Sequence, residues 1–257
     1  MPPFISVVVI AGEEERNISC CLESATWADE IVVVHSSRSD RTAEIAHAYT
    51  PRVMYREFDT FSAQRSYALS QVRGEWVFAL DADERITDSL REEVLRTLTD
   101  PGGKAGYLVP RKNRFLGRWL RHGGWYPDFQ LRLFRRDCVR VDNRLVHEGY
   151  IVDGDIGRLA NPIDHDTDPD IEHHLRKNLE YTRLEAMERR KRVRPSDLVL
   201  HPAAAFLRAY LVRGGWKDGA HGLAAALIHS AYTLQQYLFM WELGLKSAEA
   251  PPGPSQD

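Results

Sequence analysis

Unbroken apolar runs alternating with helix-compatible stretches constrain this chain more than any other feature. FISVVVI (Phe4–Ile10), EIVVV (Glu30–Val34) and WVFAL (Trp76–Leu80) show no polar–apolar alternation, and a shorter VMYR (Val53–Arg56) lies between them. A strand with one face in water alternates, whereas a strand buried on both faces does not. Helical patterns fill the intervals, around Glu14–Ala25, from near Ser39 to about Tyr49, and over Ser62–Val72. The pattern predicts a parallel sheet covered on both faces, an α/β sandwich whose ligand crevice opens at the carboxyl ends of its strands.

Beyond this block the pattern changes. Short strands, glycines and aromatics from Tyr107 to about Glu148 predict a mixed part of the sheet with a loop. Ile171–Arg192 reads as an amphipathic helix with Ile171, Leu175, Leu179 and Ala186 inward, and a helix pair follows at Pro202–Val212 and Ala220–Leu243. On the second of these, Leu223, Leu227, Ala231, Leu234, Leu238 and Trp241 recur at helical spacing. Ala248–Asp257, with four prolines or glycines in ten residues, is expected to be disordered. A length of 257 residues suits one main core with an appended segment.

Composition removes other classes. With 43% hydrophobic and 28% charged residues the chain is neither disordered throughout nor a fibrous repeat. Thirty-four basic against 37 acidic residues leave a formal charge of -3, so nothing general favours a nucleic-acid partner. Cys20, Cys21 and Cys138 form neither a paired disulfide framework nor a metal-binding spacing, which predicts a reduced, cytoplasmic chain. The apolar N-terminal run is too short for a signal peptide and lacks a basic leader, and the uncharged stretch Gly219–Trp241 contains histidines, glutamines, Ser230 and Thr233 that disfavour a spanning helix.

The sharpest chemical feature is Leu80-Asp81-Ala82-Asp83-Glu84, directly after WVFA. Residues two apart on an extended chain face the same side, so Asp81 and Asp83 are expected to face the crevice together. Their mutual repulsion is relieved by a divalent cation that also neutralises a diphosphate leaving group. The competing reading is a strand-to-helix turn in which an aspartate caps a helix starting near Asp88. A phosphohydrolase would place its acidic pair after the first strand, and a sugar nucleotidyltransferase would carry a glycine-rich basic loop where this chain has AGEEERN.

The blocks ISVVVIAGEEERNISCCLESATWADEIVVVHSSRSDRTAEIA, FDTFSAQRSYAL, GEWVFALDADERIT, RLFRR and VHE, in this order from Ile5 to about His165, resemble the family 2 glycosyltransferases of the GT-A fold. The likeness is specifically to the branch containing bacterial lipopolysaccharide-core β-1,4-glucosyltransferases, and it continues weakly through WKDGAHGLAAALIHSAYTLQQYLFMWE. The resemblance implies a Rossmann-like α/β/α sandwich with a mixed sheet plus C-terminal helices. Residues 1–168 would be the catalytic domain, 169–247 a helical segment packed on it, and 248–257 a disordered tail.

It also implies roles. Glu13 and Glu14 fall where the family has an Asn-Glu pair approaching the nucleotide, and His35 where it usually has an aspartate contacting uracil or ribose. Ser36, Ser37, Ser39 and Asp40 follow in the expected loop, and Gln64 and Arg65 match a pair lining the donor site. Asp83 corresponds to the metal ligand, Asp81 to its partner near the ribose, His165 to a late metal-directed histidine, and Glu148 to the base that deprotonates the acceptor hydroxyl. Ala11, Gly12 and His35 depart from the family pattern, the only sequence support for a non-catalytic sugar-nucleotide-binding or scaffold protein. The implied activity is metal-dependent, inverting hexosyl transfer from a nucleotide-diphosphate sugar, UDP-glucose foremost. Its cofactor would be Mg²⁺ or Mn²⁺, and its acceptor a lipopolysaccharide-core or other cell-envelope glycan or glycolipid.

Two basic runs complete the inventory. Arg111–Arg121 (RKNRFLGRWLR) suits a lid over the acceptor or contact with anionic headgroups, and Arg189–Arg192 with Arg194 suits a solvated helix end. If both face the same way, peripheral attachment to an anionic inner membrane follows. The aromatics of the C-terminal helices read as core, with a groove for a lipid-linked acceptor or a dimer contact as the alternatives.

Overall fold

The computed structural model describes residues 3–142, 149–168, 170–189 and 191–249. They form two compact units, one built from the residues up to Arg114 together with Tyr126–Thr167, the other from Phe115–Trp125 and the residues from Asp168 onward. Phe115–Trp125, which the sequence reading kept in the first unit, thus groups with the C-terminal helices. Of the expected disordered tail, Ala248 and Glu249 end a helix and the remainder lies outside the described residues.

In the first unit β1 (Ile5–Ala11), β2 (Glu30–His35), β3 (Val53–Tyr55) and β4 (Trp76–Asp81) run parallel in the order β3-β2-β1-β4. The connecting helices are α1 (Ile18–Glu23), α2 (Thr42–His47) and α3 (Phe61–Gln71). Strand β1 shows why the apolar runs are unbroken. Val7 and Val9 pack on one face with Ile18 and Leu22 of α1, while Val8 packs on the other with Ala68 of α3, so successive residues are all buried. Helices α1 and α2 are shorter than the pattern suggested because the loops before them bind each other. The Glu14 amide donates to Thr42 Oγ1 at 2.9 Å and the Glu15 amide to Asp40 Oδ2 at 3.1 Å.

The remaining strands make the sheet mixed. They are β5 (Glu84–Ile86), β6 (Gly106–Phe115), β8 (Asp128–Arg135), β11 (Ile156–Arg158) and β12 (Ile163–Asp168); β9 (Val139–Val141) and β10 (Tyr150–Val152) form a separate antiparallel pair, and the short β7 (Arg118–Trp119) belongs to the second unit. The sheet continues from β4 through β8, β6 and β12 to β5, with β8 antiparallel to β4 and β5 antiparallel to β12. Strand β5 is therefore four positions from β4 in the sheet, although only a turn at Ala82–Asp83 separates them in sequence. In a flat sheet four steps of about 4.8 Å would put them roughly 19 Å apart. Three residues reach at most about 11 Å. The antiparallel strands must therefore curl back toward β4. Helix α4 (Asp88–Thr99) follows β5, capped by Thr87, whose Oγ1 accepts from the Leu90 amide at 3.2 Å. Neither Asp81 nor Asp83 caps it.

At the amino-terminal edge of the parallel strands, buried Glu30 joins three segments. It accepts from Ser6 Oγ at 2.6 Å and from the Arg73 amide at 2.9 Å, and it pairs with Arg52. A Cβ at Gly74 would lie 2.6 Å from Ser6 Oγ, so only glycine admits this approach. Burial pushes the Glu30 carboxyl up, but the hydrogen bonds from Ser6 and Arg73 and the Arg52 charge outweigh it, and its pKa is lowered. Glu30→Gln is expected to cost about 3 kcal/mol at neutral pH. A lowered folded-state pKa confers stability above the unfolded value and loses it as pH falls through the folded one. The gap between wild-type and Glu30→Gln urea midpoints should therefore narrow in acid, and a gap independent of pH would remove the ionised carboxylate as its source.

The second unit contains α5 (Ile171–Arg189), α6 (Asp197–Leu207) and α7 (Gly219–Glu249). A π-helical turn, Arg208–Val212, continues α6, and a 3-10 turn, Gly215–Asp218, leads into α7. Helix α6 starts before Pro202, where the sequence reading began it; the carbonyl of Pro202 accepts from Ser230 Oγ at 2.9 Å. The expected inward faces of α5 and α7 are corrected, except at Ala186, which is buried as expected. Leu175, Leu179, Leu223, Leu227, Leu238 and Trp241 are exposed, whereas Thr182, Glu185, Ala186, Ala225, Ala226, Gln236 and Met240 are buried. Small residues let backbones approach, and Glu185 is satisfied by Tyr232 Oη at 2.8 Å and by Gln236 Nε2, which fixes the polar face inward. Asp218 accepts from the Arg121 and His122 amides at 3.1 and 2.8 Å, holding Phe115–Trp125 in this unit. A Cβ at Gly222 would stand 1.9 Å from the Gly215 carbonyl oxygen. Gly222→Ala should accordingly lower stability by about 1–3 kcal/mol, seen as a reduced thermal midpoint.

Candidate functional site

The parallel register brings the carboxyl ends of β2, β1 and β4 side by side, with His35 opposite Ala11 and Asp81 opposite Ile10. The loops that leave β1 and β2 enclose an open cavity of about 440 Å³ lined by Gly12, Glu13 and Ser36–Ser39. Glu13 accepts from Ser39 Oγ across it. The His35 ring is buried, 5.5 Å edge-on from Tyr55, with Nδ1 2.9 Å from the Ser37 carbonyl oxygen. A carbonyl only accepts, so Nδ1 carries a proton, and in that tautomer Nε2 is the ring's acceptor.

Other residues expected at the nucleotide serve the loops themselves. Asp40 accepts from the Glu15 amide and from both the amide and hydroxyl of Thr42. Burial pushes its carboxyl up, but these bonds prevail and lower it. Glu14 accepts from Asn17 Nδ2 at 2.8 Å, and its carbonyl receives the Asn17 and Ile18 amides, so it starts α1. Gln64, only 4% exposed, turns inward to donate to the carbonyls of Arg56 and Glu57 at 3.0 and 3.3 Å, and its Oε1 is buried without a hydrogen-bond partner among the described residues. Glu148 lies outside the described residues.

Asp81 and Asp83 do not share a face of an extended strand. Asp81 ends β4, the chain turns at Ala82–Asp83, and Glu84 begins β5, so the two-residue alternation is broken where it was applied. Each carboxylate has its own partners. Asp81 is paired with Arg132 of β8 and lies 3.6 Å from the Arg65 guanidinium of α3. Arg132 also binds Glu84 Oε1 at 2.6 Å, and Glu84, 0% exposed, accepts the Asp81 amide through Oε2 at 3.0 Å. Arg111 of β6 reaches the same Glu84 at 3.4 Å and grips Asp128 at 2.6 Å. Burial would raise the Asp81 pKa, yet Arg132 and Arg65 hold the carboxyl well below the usual range, and Asp81 and Glu84 in turn overcome burial to raise that of Arg132. The charge at Asp81 is thus balanced by arginine rather than awaiting a cation.

Asp83 faces a different partner. Its Oδ2 is 3.3 Å from His165 Nε2, while His165 Nδ1 is 2.6 Å from Asn113 Oδ1. Asn113 Nδ2 donates to Asp128 at 3.2 Å, which orients the amide; its Oδ1 must then accept, so His165 Nδ1 carries a proton and Nε2 is the nitrogen turned to Asp83. Burial pushes the imidazole pKa down, but the hydrogen bond and charge of Asp83 raise it overall. Among the described residues no three acidic, histidine or cysteine side chains converge as a complete metal cage. A carboxylate beside an imidazole nitrogen whose tautomer is set by a second hydrogen bond nevertheless suits a partial site, completed by oxygen atoms of a ligand.

Sequence reasoning missed Arg132, Arg111, Glu84, Asn113 and Asp128. The available signal was a charged residue within strands whose neighbours are apolar, since such a charge must be paired. The basic run beginning at Arg111 proves largely committed: Lys112 lies 3.2 Å from Asp164, and Arg114 lies 3.5 Å from Asp164 and 3.8 Å from Asp166. Arg132→Met would leave two carboxylates without their shared cation, one of them fully buried. A loss of about 3–5 kcal/mol is expected, and in Arg132→Met/Glu84→Gln urea titrations should show part of it restored; strict additivity would deny the coupling.

Residues 6–150 match the family described as Glycosyl transferase family 2. The chain is 30% identical over 238 residues to the lipopolysaccharide core biosynthesis glycosyltransferase LpsC of Rhizobium meliloti, covering 89% of this chain and 88% of the relative. It is 24% identical over 267 residues to the uncharacterized glycosyltransferase RT0209 of Rickettsia typhi, covering 95% and 88%. A crystal structure of S. aureus TarS in complex with UDP aligns at 15% identity with a TM-score of 0.48, covering 95% of this chain and 92% of that one.

Proposed function

The chain belongs to glycosyl transferase family 2 and is a glycosyltransferase of the GT-A fold, and we propose that it moves a hexose from a UDP-linked donor to a lipopolysaccharide-core or related cell-envelope glycolipid. The observation that carries the donor assignment is the edge where β2, β1 and β4 end together, with the cavity at Gly12–Ser39 on one side and the turn Asp81–Glu84 on the other. The acceptor class rests on the likeness to LpsC, whose name assigns it to core lipopolysaccharide.

In this reading the cavity takes the nucleoside, with His35 Nε2 offering one acceptor where a carboxylate would offer more. Asp81, kept ionised by Arg132 and Arg65, accepts hydrogen bonds from donor hydroxyls. Asp83 and His165 would hold a divalent cation, which when bound neutralises the departing diphosphate. The mixed set of a carboxylate oxygen and an imidazole nitrogen favours Mn²⁺ over Mg²⁺. Glu148 is proposed as the base that takes the acceptor hydroxyl proton, so that attack in line with the leaving group inverts the anomeric carbon. A glycolipid acceptor places the enzyme at the anionic inner face of a membrane, as a peripheral protein. That no helix among the described residues is long and apolar enough to cross a membrane is compatible with this.

Isothermal titration with UDP, GDP and their glucose conjugates, with and without Mn²⁺, tests the reading. UDP and UDP-glucose are expected to bind more tightly with Mn²⁺, and Asp83→Ala to weaken that binding on the order of 100-fold. Affinity that is equal with and without metal would overturn the metal assignment, and absence of binding by any of these nucleotides would favour the scaffold reading suggested by Ala11, Gly12 and His35.

A further inference from the structure

We infer that the outer face of α6 and its π-helical continuation is a membrane-docking surface that lies in the headgroup layer of an anionic bilayer. The inference rests on the glycolipid-acceptor reading and names the surface that would bring the enzyme to it.

The face is defined by the helix itself. Val199, Leu200, Leu207, Leu211 and Val212 recur at helical spacing and are all exposed, Val212 by 81% and Val199 by 68%. Exposed Ala203 and Ala204 fill the gap between them, so the stripe is apolar throughout except at Arg208. The opposite side of the same helix buries the small residues Pro202 and Ala209. A globular helix normally sends its large apolar side chains inward; here, apart from half-buried Leu198 and Phe206, they point out, next to exposed Trp216 at the following turn. Small residues packed within and large apolar ones outside is the arrangement of helices in contact with lipid.

Charge selects the partner. Lys191, Arg192, Arg194, Arg208, Arg213 and Lys217 are all exposed around this stripe. The acids of the same segment are withdrawn. Asp218 is buried against the Arg121 and His122 amides, and Asp197 accepts the Arg194 amide at 2.9 Å and lies 3.5 Å from His201. In a chain whose formal charge is -3, an apolar stripe whose exposed charged residues along the described segment 191–218 are all basic matches an anionic lipid surface, with side chains in the acyl boundary and guanidinium and ammonium groups among the phosphates. The exposed leucines of α5 give no such match, because Glu172, Glu180 and Glu188 alternate there with basic residues. The helix lies in the interface and does not span, in accord with its length and the cations at its ends.

The test is co-sedimentation of the full chain with phosphatidylcholine vesicles and with phosphatidylcholine–phosphatidylglycerol vesicles. Wild type should partition onto the anionic vesicles, less so as salt is raised, and only weakly onto the neutral ones. Leu211→Ser/Val212→Ser and Arg208→Gln/Arg213→Gln should each lower that partition about tenfold or more, while UDP affinity stays at the wild-type value. Absence of wild-type binding, or equal binding by Leu211→Ser/Val212→Ser, would overturn the surface. So would a dimer in solution that Leu211→Ser/Val212→Ser splits, since the occupant would then be a second copy. Vesicle binding without nucleotide binding would sink the glycosyl-transfer reading alone; nucleotide binding without vesicle binding would sink only the docking surface.

Discussion

The pairing of Arg132 with Asp81 and Glu84 is the interaction on which the rest of the first unit depends. It links β8 to both ends of the turn that leads from β4 into β5, across 51 and 48 residues of sequence. Without a shared cation the curled sheet would enclose a fully buried glutamate beside an aspartate, a cost that no amount of apolar packing nearby offsets. With it, the curl closes and the antiparallel strands deliver Arg111, Asn113 and His165 to the same turn. Buried ion pairs of this kind are weak arguments for net stability. Their effect here is geometric, because they make one arrangement of β4, β5, β6 and β8 far better than its neighbours.

That network divides the acidic pair. Asp81 is compensated within the protein, whereas Asp83 has a histidine whose nitrogen is oriented through Asn113 by Asp128. The two carboxylates therefore differ in what they can accept. One is an ionised carboxylate fixed by arginine, and the other faces an imidazole nitrogen, where the proposed cation would bind. A DxD spacing alone treats them as equivalent, and the turn between them is what separates their roles. On the cavity side Asp40 accepts from the Glu15 amide and from Thr42, Glu14 accepts from the Asn17 side chain, and Gln64 donates to the carbonyls of Arg56 and Glu57, so side chains that resemble binding residues in sequence are engaged within the protein.

Much of the first unit was legible. Unbroken apolar runs separated by helical patterns identified β1, β2 and β4 and the crevice at their ends, because burial on both faces leaves a mark on every residue of a strand. The second unit was legible as helices but not as faces. Helical spacing marked Leu175, Leu179, Leu223 and Leu227 as core, yet Ala225, Ala226 and the polar Glu185 and Gln236 are inside. Periodicity locates an apolar stripe without saying what it meets, and a stripe turned toward lipid has the same period as one turned toward a core.

The sequence by itself determined the parallel half of the sheet, the approximate helices, the position of the acidic pair and its family. These properties depend on neighbours a few residues away, through local propensity and the period of burial. Tertiary structure decided which charges meet, which nitrogen of His165 faces Asp83, and which side of each C-terminal helix is covered. All three depend on partners brought close by the curl of the sheet or the packing of helices. A local pattern cannot carry that information, since the energy of a buried charge or an exposed leucine is set by whatever the fold places against it.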